Sequence, residues 1–465
     1  MKDIADYALK KLEELNVNYA EVKLETKEEN AFVLKNGNLD VSGFDKISGL
    51  GIRYLINNNL GFISLNDLNK DTIKRLIEKS VRITNNAGKI SEKIYLSDDD
   101  VSKKSYEVKE KFKIKDFTSD KKIGYLIQLD KDLKDIYMRF FSLSDSITEK
   151  YFITTEGAKI ESKIPRVHFY SYLTIMQDGK TRQRYTPYGA TSGYECLKFW
   201  NLNEKLNNEN LVLKDNIKSG IKVKQGVYDV ICGNEVTGIA VHESAGHPYE
   251  ADRIFGREAA QAGESFVTEK MVGEIIGNEK VNVVDDPTLE NSYGYYLYDD
   301  EGVKARRKFI IKEGKINEFL HNRETAYSMN LKSNGSARAS DYDKENMVRM
   351  SNTFMLGGDS SEDEIIRETK KGVFLKNFME WNIDDKRYQQ KYVGCEAFLV
   401  ENGEITKPLI SPALEITTPA FWKAIDMIGK EVKHFAGSCG KGEPMQGIPV
   451  WMGGPVIRLK NIGIK

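Results

Sequence analysis

The sequence predicts an α+β protein, with an N-terminal α/β region of antiparallel hairpins and a mixed, β-rich C-terminal domain arranged about one histidine-bearing helix. Three observations carry that prediction. Residues 3–16 place Ile4, Ala8, Leu9, Leu12 and Leu15 at helical spacing. Strand-like runs recur along the chain, broken by Asn-Gly, Asn-Asn and Glu-Gly pairs that close tight turns. After the Asn- and Lys-rich stretch 200–224 the chain becomes richer in Gly and Pro.

Taken in order, the helix 3–16 gives way to Tyr19–Leu24, whose alternation reads as a half-buried strand. Phe32 to Lys35 runs into Asn36-Gly37, the strongest short hairpin signal. Ile47–Ile56, a polar Asn57-Asn58-Asn59 turn and Gly61–Leu65 read as a second hairpin, and 70–86 as a helix. Residues 98–122 differ: fifteen of these 25 are charged and none is Gly or Pro, which marks an exposed linker or a solvated element near a boundary. A helix over 124–135 follows, then strand-like runs that include Tyr151–Thr154 and Ala158–Ser162 about a Glu156-Gly157 turn. Val227–Ile231 reads as a strand that passes through Gly233-Asn234 into a helix carrying His242. Further hairpins are expected at Glu313-Gly314 and Asn402-Gly403. Thr418-Pro419 opens a late helix, with Thr418 as N-cap and Phe421, Ile425 and Ile428 facing the core. The expected units are residues 1–100, a middle region 101–222 that completes the N-terminal half, and 223–465.

The chain has 465 residues, a length that suits about three domains. Its 69 Lys and Arg balance 70 Asp and Glu, leaving a formal charge of −1, which argues against a duplex-DNA partner. No nucleic-acid partner is therefore expected. The N-terminus is charged throughout and lacks the apolar core of a signal peptide. The absence of a long apolar run predicts no transmembrane helix and no membrane partner. Cys196, Cys232, Cys395 and Cys439 are widely spaced with no CxxC, so free thiols and a cytoplasmic location are expected.

With five His and four Cys, few chemical constellations can be built. Two of the histidines fall in His242-Glu243-Ser244-Ala245-Gly246-His247, an H-E-x-x-x-H pattern. Chance would supply that pattern in on the order of one in a few hundred such chains. The zinc-peptidase motif H-E-x-x-H puts its imidazoles at i and i+4, on one helix face. At i and i+5 a regular α-helix separates them by about 140°, too far for one tetrahedral ion. A π turn of roughly 4.4 residues brings them to within about 50°. Gly246 would permit such a turn, and Pro248 disfavours α geometry at His247, so the helix is expected to distort or end there.

Two imidazoles on zinc need one more protein ligand and an open position for water. Glu250, Asp252 and a distant Cys are the candidates. Cys439 lies in Ala436–Gly442, which reads as a flexible Gly-rich loop that lets backbone approach closely, and Lys441 would favour a thiolate there. Glu243 would then be a general base. Plainer roles compete: a Cys is most often a small buried hydrophobe, and the lone His168, His321 and His434 are expected to be structural or solvent-exposed. Asp285-Asp286 and Asp299-Asp300-Glu301 are cation sites or, more simply, turn-forming acids. Gly437–Gly442 lacks the phosphate-loop pattern, and a Cys439–His434 nucleophilic hydrolase would leave the His-Glu-His motif without a task.

The segment V-H-E-S-A-G-H-P-Y-E-A-D resembles the metal-binding helix of TldD-type members of the TldD/PmbA family. Val284-Asp285-Asp286, Tyr298–Gly302, Arg349–Thr353, Glu396–Gly403 and Gly437–Lys441 follow in that family's order, so the resemblance covers 225–465; Ile47–Ser64 resembles it more weakly. The resemblance implies a zinc (Zn2+) metallopeptidase in which His242, His247 and Cys439 hold the metal and Glu243 is the catalytic base. It implies unfolded or short peptides as substrates, held by backbone pairing to strands. It also implies a dimeric chamber, formed with a PmbA/TldE-like paralogue or with a second copy of the chain. The chain departs from the family at Met379-Glu380-Trp381-Asn382-Ile383-Asp384, where a Gly-rich stretch is common, and at Pro248, where Gly is common; these bear on cleft shape and motif geometry. The competing reading is a non-proteolytic partner or scaffold whose metal is structural.

Overall fold

The computed structural model describes residues 1–87, 92–133, 135–177, 179–256, 264–442 and 445–464. It is α+β, with several sheets. Helix α1 (Lys2–Glu14) leads into a long antiparallel ribbon of β1 (Tyr19–Lys35) and β2 (Asn38–Ile56). Asn36 and Gly37 both take positive φ, 48° and 79°, as a two-residue hairpin turn requires. Asn57 and Asn58 do the same, at 49° and 61°, before β3 (Asn59–Leu65). α2 (Lys70–Ala87) follows.

Within the charged stretch, β4 (Lys103–Glu107) forms a parallel edge strand on the later strand Lys159–Gln177. α3 (Ser119–Asp132) starts five residues before the expected helix and stops short of its end, and Lys134 lies outside the described residues. Next come β5 (Met138–Thr154), β6 (Lys159–Gln177), β7 (Lys180–Ala190), α4 (Cys196–Trp200) and α5 (Leu202–Ser219). The seven strands make one sheet in the order β3-β2-β1-β5-β6-β4, with β7 also paired to β6. Ala5, Ala8 and Leu12 of α1 and Ile73, Ile77 and Val81 of α2 bury against Val22, Leu24, Leu50 and Ile52. Leu126 and Leu129 of α3 and Leu206 and Leu213 of α5 cover Phe141, Leu143, Phe169 and Leu173.

The start of β1 departs from the half-buried expectation, because every residue from Tyr19 to Glu25 is buried. Its polar side chains face the C-terminal half. Arg53 joins Glu21 at 3.4 Å and Glu301 at 2.8 Å, and Lys150 bridges Glu25 and Asp300. The acids expected in turns are thus partly structural: Asp299 accepts the backbone N–H groups of Glu301, Val303 and Ala337, while Asp285 pairs with Lys308 at 2.9 Å.

The C-terminal half stacks two sheets on one core. The nine-stranded sheet includes β8 (Gly226–Cys232), flanked by Lys371–Leu375 in parallel and Ile457–Ile464 antiparallel. The six-stranded sheet runs from Lys315–Ile316 to the edge strand Lys433–Lys441. Helix α6 (Asn234–Val241) follows β8 directly, and its Ile239 shares the core with Ile448 and Leu459. Hairpins at Glu313-Gly314 and Asn402-Gly403 form with positive φ at all four residues.

The late helix is Thr418–Ala424. Thr417, not Thr418, is its N-cap and accepts the N–H of Ala420. Phe421 is fully buried as expected, but Ile425 and Ile428 belong to a strand, Ile425–Ile428, that pairs with the last strand, Ile457–Ile464. The β-branched Ile425 and Ile428, with Gly429 directly after them, favour extension over a further helical turn. Among the described residues no helix is long and apolar enough to cross a membrane.

Candidate metal centre

The backbone after α6 is not α-helical. His242–Gly246 forms a π-helical turn, and His247–Tyr249 a 3-10 turn. The π turn closes the i, i+5 gap: the His242 and His247 rings lie 5.0 Å apart, nearly perpendicular at 83°. Gly246 is needed for packing, since a Cβ there would stand 1.8 Å from Met350 Sδ. Pro248 does not push His247 out of the α region, where it sits at φ −57° and ψ −45°. The chain turns extended only at Glu250, with ψ 114°.

Cys439 comes not from a loop but from the edge strand Lys433–Lys441, which pairs along its length with Gln446–Gly454; it lies 192 residues beyond His247, and its Sγ is 3.4 Å from His247 Nε2. One ligand atom each from His242, His247 and Cys439 lie within 4.8 Å of one another, and all three residues are buried. A zinc ion with Zn–S of about 2.3 Å and Zn–N of about 2.0–2.1 Å, bound tetrahedrally, spaces S and N by roughly 3.5 Å. The donor set and the observed Sγ to Nε2 distance fit that ion.

The electrostatics suit ligation. Burial pushes both imidazoles below their ordinary pKa, the direction that frees a ring lone pair for ligation. Burial alone would raise the Cys439 thiol, but a proton shared with the facing His247 ring, together with the Arg349 cation, outweighs it and brings the thiol down to about 7. The other three thiols go the opposite way: burial pushes Cys196 up to about 12, Cys395 to about 11, and Cys232 higher still.

The other candidate ligands stand behind the cluster. Glu250 Oε2 meets His247 Nδ1 at 3.0 Å and also Arg253 Nε at 2.8 Å. Burial would raise its carboxyl, yet Lys441, His247 and Arg253 hold it well below the usual carboxylate range. An ionised Glu250 accepts Nδ1–H and leaves the Nε2 lone pair facing Cys439, the usual support for a metal-bound imidazole. Asp252 is taken by Lys441, at 2.7 and 2.8 Å. Lys441 is therefore spent on Asp252 and Glu250. The cation beside Cys439 is Arg349, fully buried, whose guanidinium donates to the carbonyls of Cys439 and Gln446.

Glu243 follows His242 on the same turn and pairs with Arg387 Nη1 at 2.5 Å. It lines a cavity of about 270 Å³ together with His242, His247, Cys439, Arg387 and Trp381. Trp381 belongs to the divergent segment 379–384, which thus shapes the cleft wall. The remaining histidines are elsewhere: His168 stacks on Tyr293, His434 stacks on Trp451, and His321 meets Thr325. Arg349 and Arg387 went unread in the sequence. Arg349 sits in the ordered motif Arg349–Thr353, a signal without an assigned task; Arg387, 144 positions from Glu243, carries none.

Comparison with known proteins agrees along the whole chain. Profiles of the PmbA/TldA metallopeptidase family match residues 20–84 (domain 1), 112–219 (central domain) and 225–465 (C-terminal domain). A metalloprotease of Methanocaldococcus jannaschii is 32% identical, with 95% of this chain and 96% of that protein covered. A Saccharolobus solfataricus protein named as a zinc metalloprotease TldD homolog is 28% identical, with 98% of each covered. The fold matches the crystal structure of TldE from Thermococcus kodakarensis with a TM-score of 0.76, at 15% identity over 100% of this chain and 99% of that one.

Proposed function

This chain belongs to the PmbA/TldA metallopeptidase family, as a TldD-type member, and on that premise we propose that it hydrolyses unfolded or short peptides at a zinc ion held by His242, His247 and Cys439. The observation that carries the reading is the convergence of two imidazoles and one acidified thiol beside a buried carboxylate, Glu243, in one cavity. Zinc, when bound, supplies a Lewis acid that polarises a carbonyl and acidifies water.

The chain's own residues do the rest. Glu250 fixes the His247 ring and its tautomer. Arg349 holds the Cys439 backbone and favours its thiolate. Glu243 takes a proton from the attacking water and passes it to the leaving amine nitrogen. The cleft walls, with Trp381 and the edge strand Lys433–Lys441, exclude bulk water and offer backbone groups to an extended peptide.

A TldE-like paralogue or a second copy of this chain would close the site into a chamber, and the likeness to TldE supports a partner of that fold. We propose the cytoplasm as its location, on the support of four unpaired thiols that a reducing compartment would keep free. The test is zinc content and cleavage of an unstructured peptide by wild type and by Glu243→Gln. Full zinc in both, with cleavage lost in the variant, is expected. Equal cleavage by both would overturn the role of Glu243, and a zinc-loaded wild type that cleaves nothing, alone or with its paralogue, would favour the scaffold reading.

A further inference from the structure

The residue that touches Glu243 is the only Lys or Arg that lines the cleft cavity among the described residues. Arg387 sits in the turn between strands Phe378–Ile383 and Gln389–Gly394, with φ +62°. Glycine adopts that left-handed region freely and an arginine does so at a cost. A backbone that would prefer Gly nonetheless carries the longest cation available, and such local strain is retained where a side chain has a task.

The turn is also held rigidly. Arg387 N–H donates to Asp384 O at 3.0 Å, Tyr388 N–H to the Asp384 carboxylate at 2.7 Å, and Thr418 Oγ1 to Arg387 O at 2.7 Å. The guanidinium is nearly buried and only partly used. Nη1 meets Glu243, whereas Nε is buried with no hydrogen-bond partner among the described residues. A desolvated donor with spare capacity, beside the proposed base and facing the same cavity as the three proposed ligands, is the arrangement that stabilises negative charge as it develops.

We propose that Arg387 is a further catalytic residue, which donates to the carbonyl oxygen of the scissile peptide bond while keeping Glu243 in place. This rests on the peptidase reading above. As the water oxygen bonds to the carbonyl carbon, its proton goes to Glu243 and the carbonyl π electrons move onto oxygen. Arg387 meets that oxygen. When the C–N bond breaks, the electron pair goes to nitrogen with the proton from Glu243, the carbonyl re-forms, and no external oxidant or reductant is needed. Arg387 would contact the carbonyl more strongly once charged than before, so its effect belongs in kcat.

The left-handed φ makes the test clean, because Arg387→Gly removes the side chain and relieves the backbone. The expected result is wild-type zinc content and an undiminished melting temperature. kcat should fall roughly 100- to 1,000-fold while KM changes by less than about threefold. A phosphinic peptide, which carries a tetrahedral anionic centre, should lose affinity by far more than the parent peptide does. Added guanidinium at low millimolar concentration should restore part of the rate. Arg387→Gln serves as a second variant and should show the same split.

Variants that cleave at the wild-type rate or faster would overturn the inference, because Arg387 would then contribute neither to the carbonyl oxygen nor to the placement of Glu243. Equal losses of phosphinic and parent peptide affinity would also overturn it, by marking Arg387 as a ground-state contact. A wild type that cleaves nothing would instead overturn the peptidase reading, which separates the two failures.

Discussion

Glu250 Oε2 lies 3.0 Å from His247 Nδ1, on the opposite edge of the ring from Cys439 Sγ, which stands 3.4 Å from Nε2. One imidazole is thus pinned between a carboxylate and a thiol. Its orientation is decided by a residue only three positions on in the chain, and its chemistry by one 192 positions away.

That relationship predicts that Glu250→Gln weakens zinc without abolishing the fold. Gln keeps an acceptor but loses the charge that fixes the tautomer. Outer-shell partners of this kind change metal affinity by about 10- to 100-fold. Asp252→Asn is the control, since Asp252 shares Lys441 with Glu250 but does not touch His247 among the described contacts. Competition with a chelator should show a large loss for Glu250→Gln and a small one for Asp252→Asn; equal losses would place the effect in the Lys441 cluster instead.

The π turn predicts a packing conflict at Gly246. Gly246→Ala puts a methyl 1.8 Å from Met350 Sδ in a position where both residues are buried. Overpacking of this kind costs about 1–3 kcal/mol. Because Met350 is the obstruction, Gly246→Ala combined with Met350→Ala should destabilise less than the sum of the two single changes, by about 1 kcal/mol or more. Urea denaturation of the four proteins measures that coupling, and strict additivity would mean that the backbone, not Met350, excludes a side chain.

The sequence made the local features legible and left the distant ones dark, for a physical reason. The spacing of His242 and His247 forces a non-α turn if both are to face one ion, and the turn is there. Asn36-Gly37 and Asn57-Asn58 closed their hairpins because two consecutive positive φ values have few side chains to choose from. Alternation in Tyr19–Leu24 gave the strand but not its surroundings, since periodicity separates two faces without saying what covers each. The polar face was taken for a solvated one, and Arg53, Lys150 and Glu301 instead bury it. Lys441 is close to Cys439 in sequence and on the same face of the strand, yet the nearby cation that acts on the thiol is Arg349, because the Lys441 ammonium is engaged by Asp252 and Glu250.

Acid sensitivity should have an identifiable source in His168. Its half-buried ring stacks on Tyr293, with Nε2 buried and unpartnered among the described residues, and desolvation brings it down to about 4. An unfolded His titrates near 6.5, so the native state binds fewer protons between those values. Its depressed folded pKa gives a contribution fully present above about 6.5 that is lost as pH falls toward 4, up to about 3 kcal/mol. His168→Phe keeps an aromatic stack and removes the titration. Its stability should match wild type near pH 7 and exceed it near pH 4.5, as read by urea midpoints; parallel pH profiles would assign the acid loss to other groups.

The contact between the halves predicts a large effect from a single cation. Arg53 donates to Glu301 at 2.8 Å and approaches both oxygens of Glu21 at 3.4 Å, with all three side chains buried. Burial raises the Glu21 carboxyl, Arg53 lowers it and Glu301 raises it again, and the net shift is upward. Arg53→Met would leave two buried acids facing each other without a counter-ion. Breaking such a buried set on one side costs about 3–5 kcal/mol, whereas neutralising all of it is far less costly. Arg53→Met combined with Glu21→Gln and Glu301→Gln should therefore recover much of the loss of the single variant. Calorimetric melting of wild type, single and triple variants tests this. A triple variant no more stable than the single one would show that Arg53 holds the halves together through its packing and not through its charge.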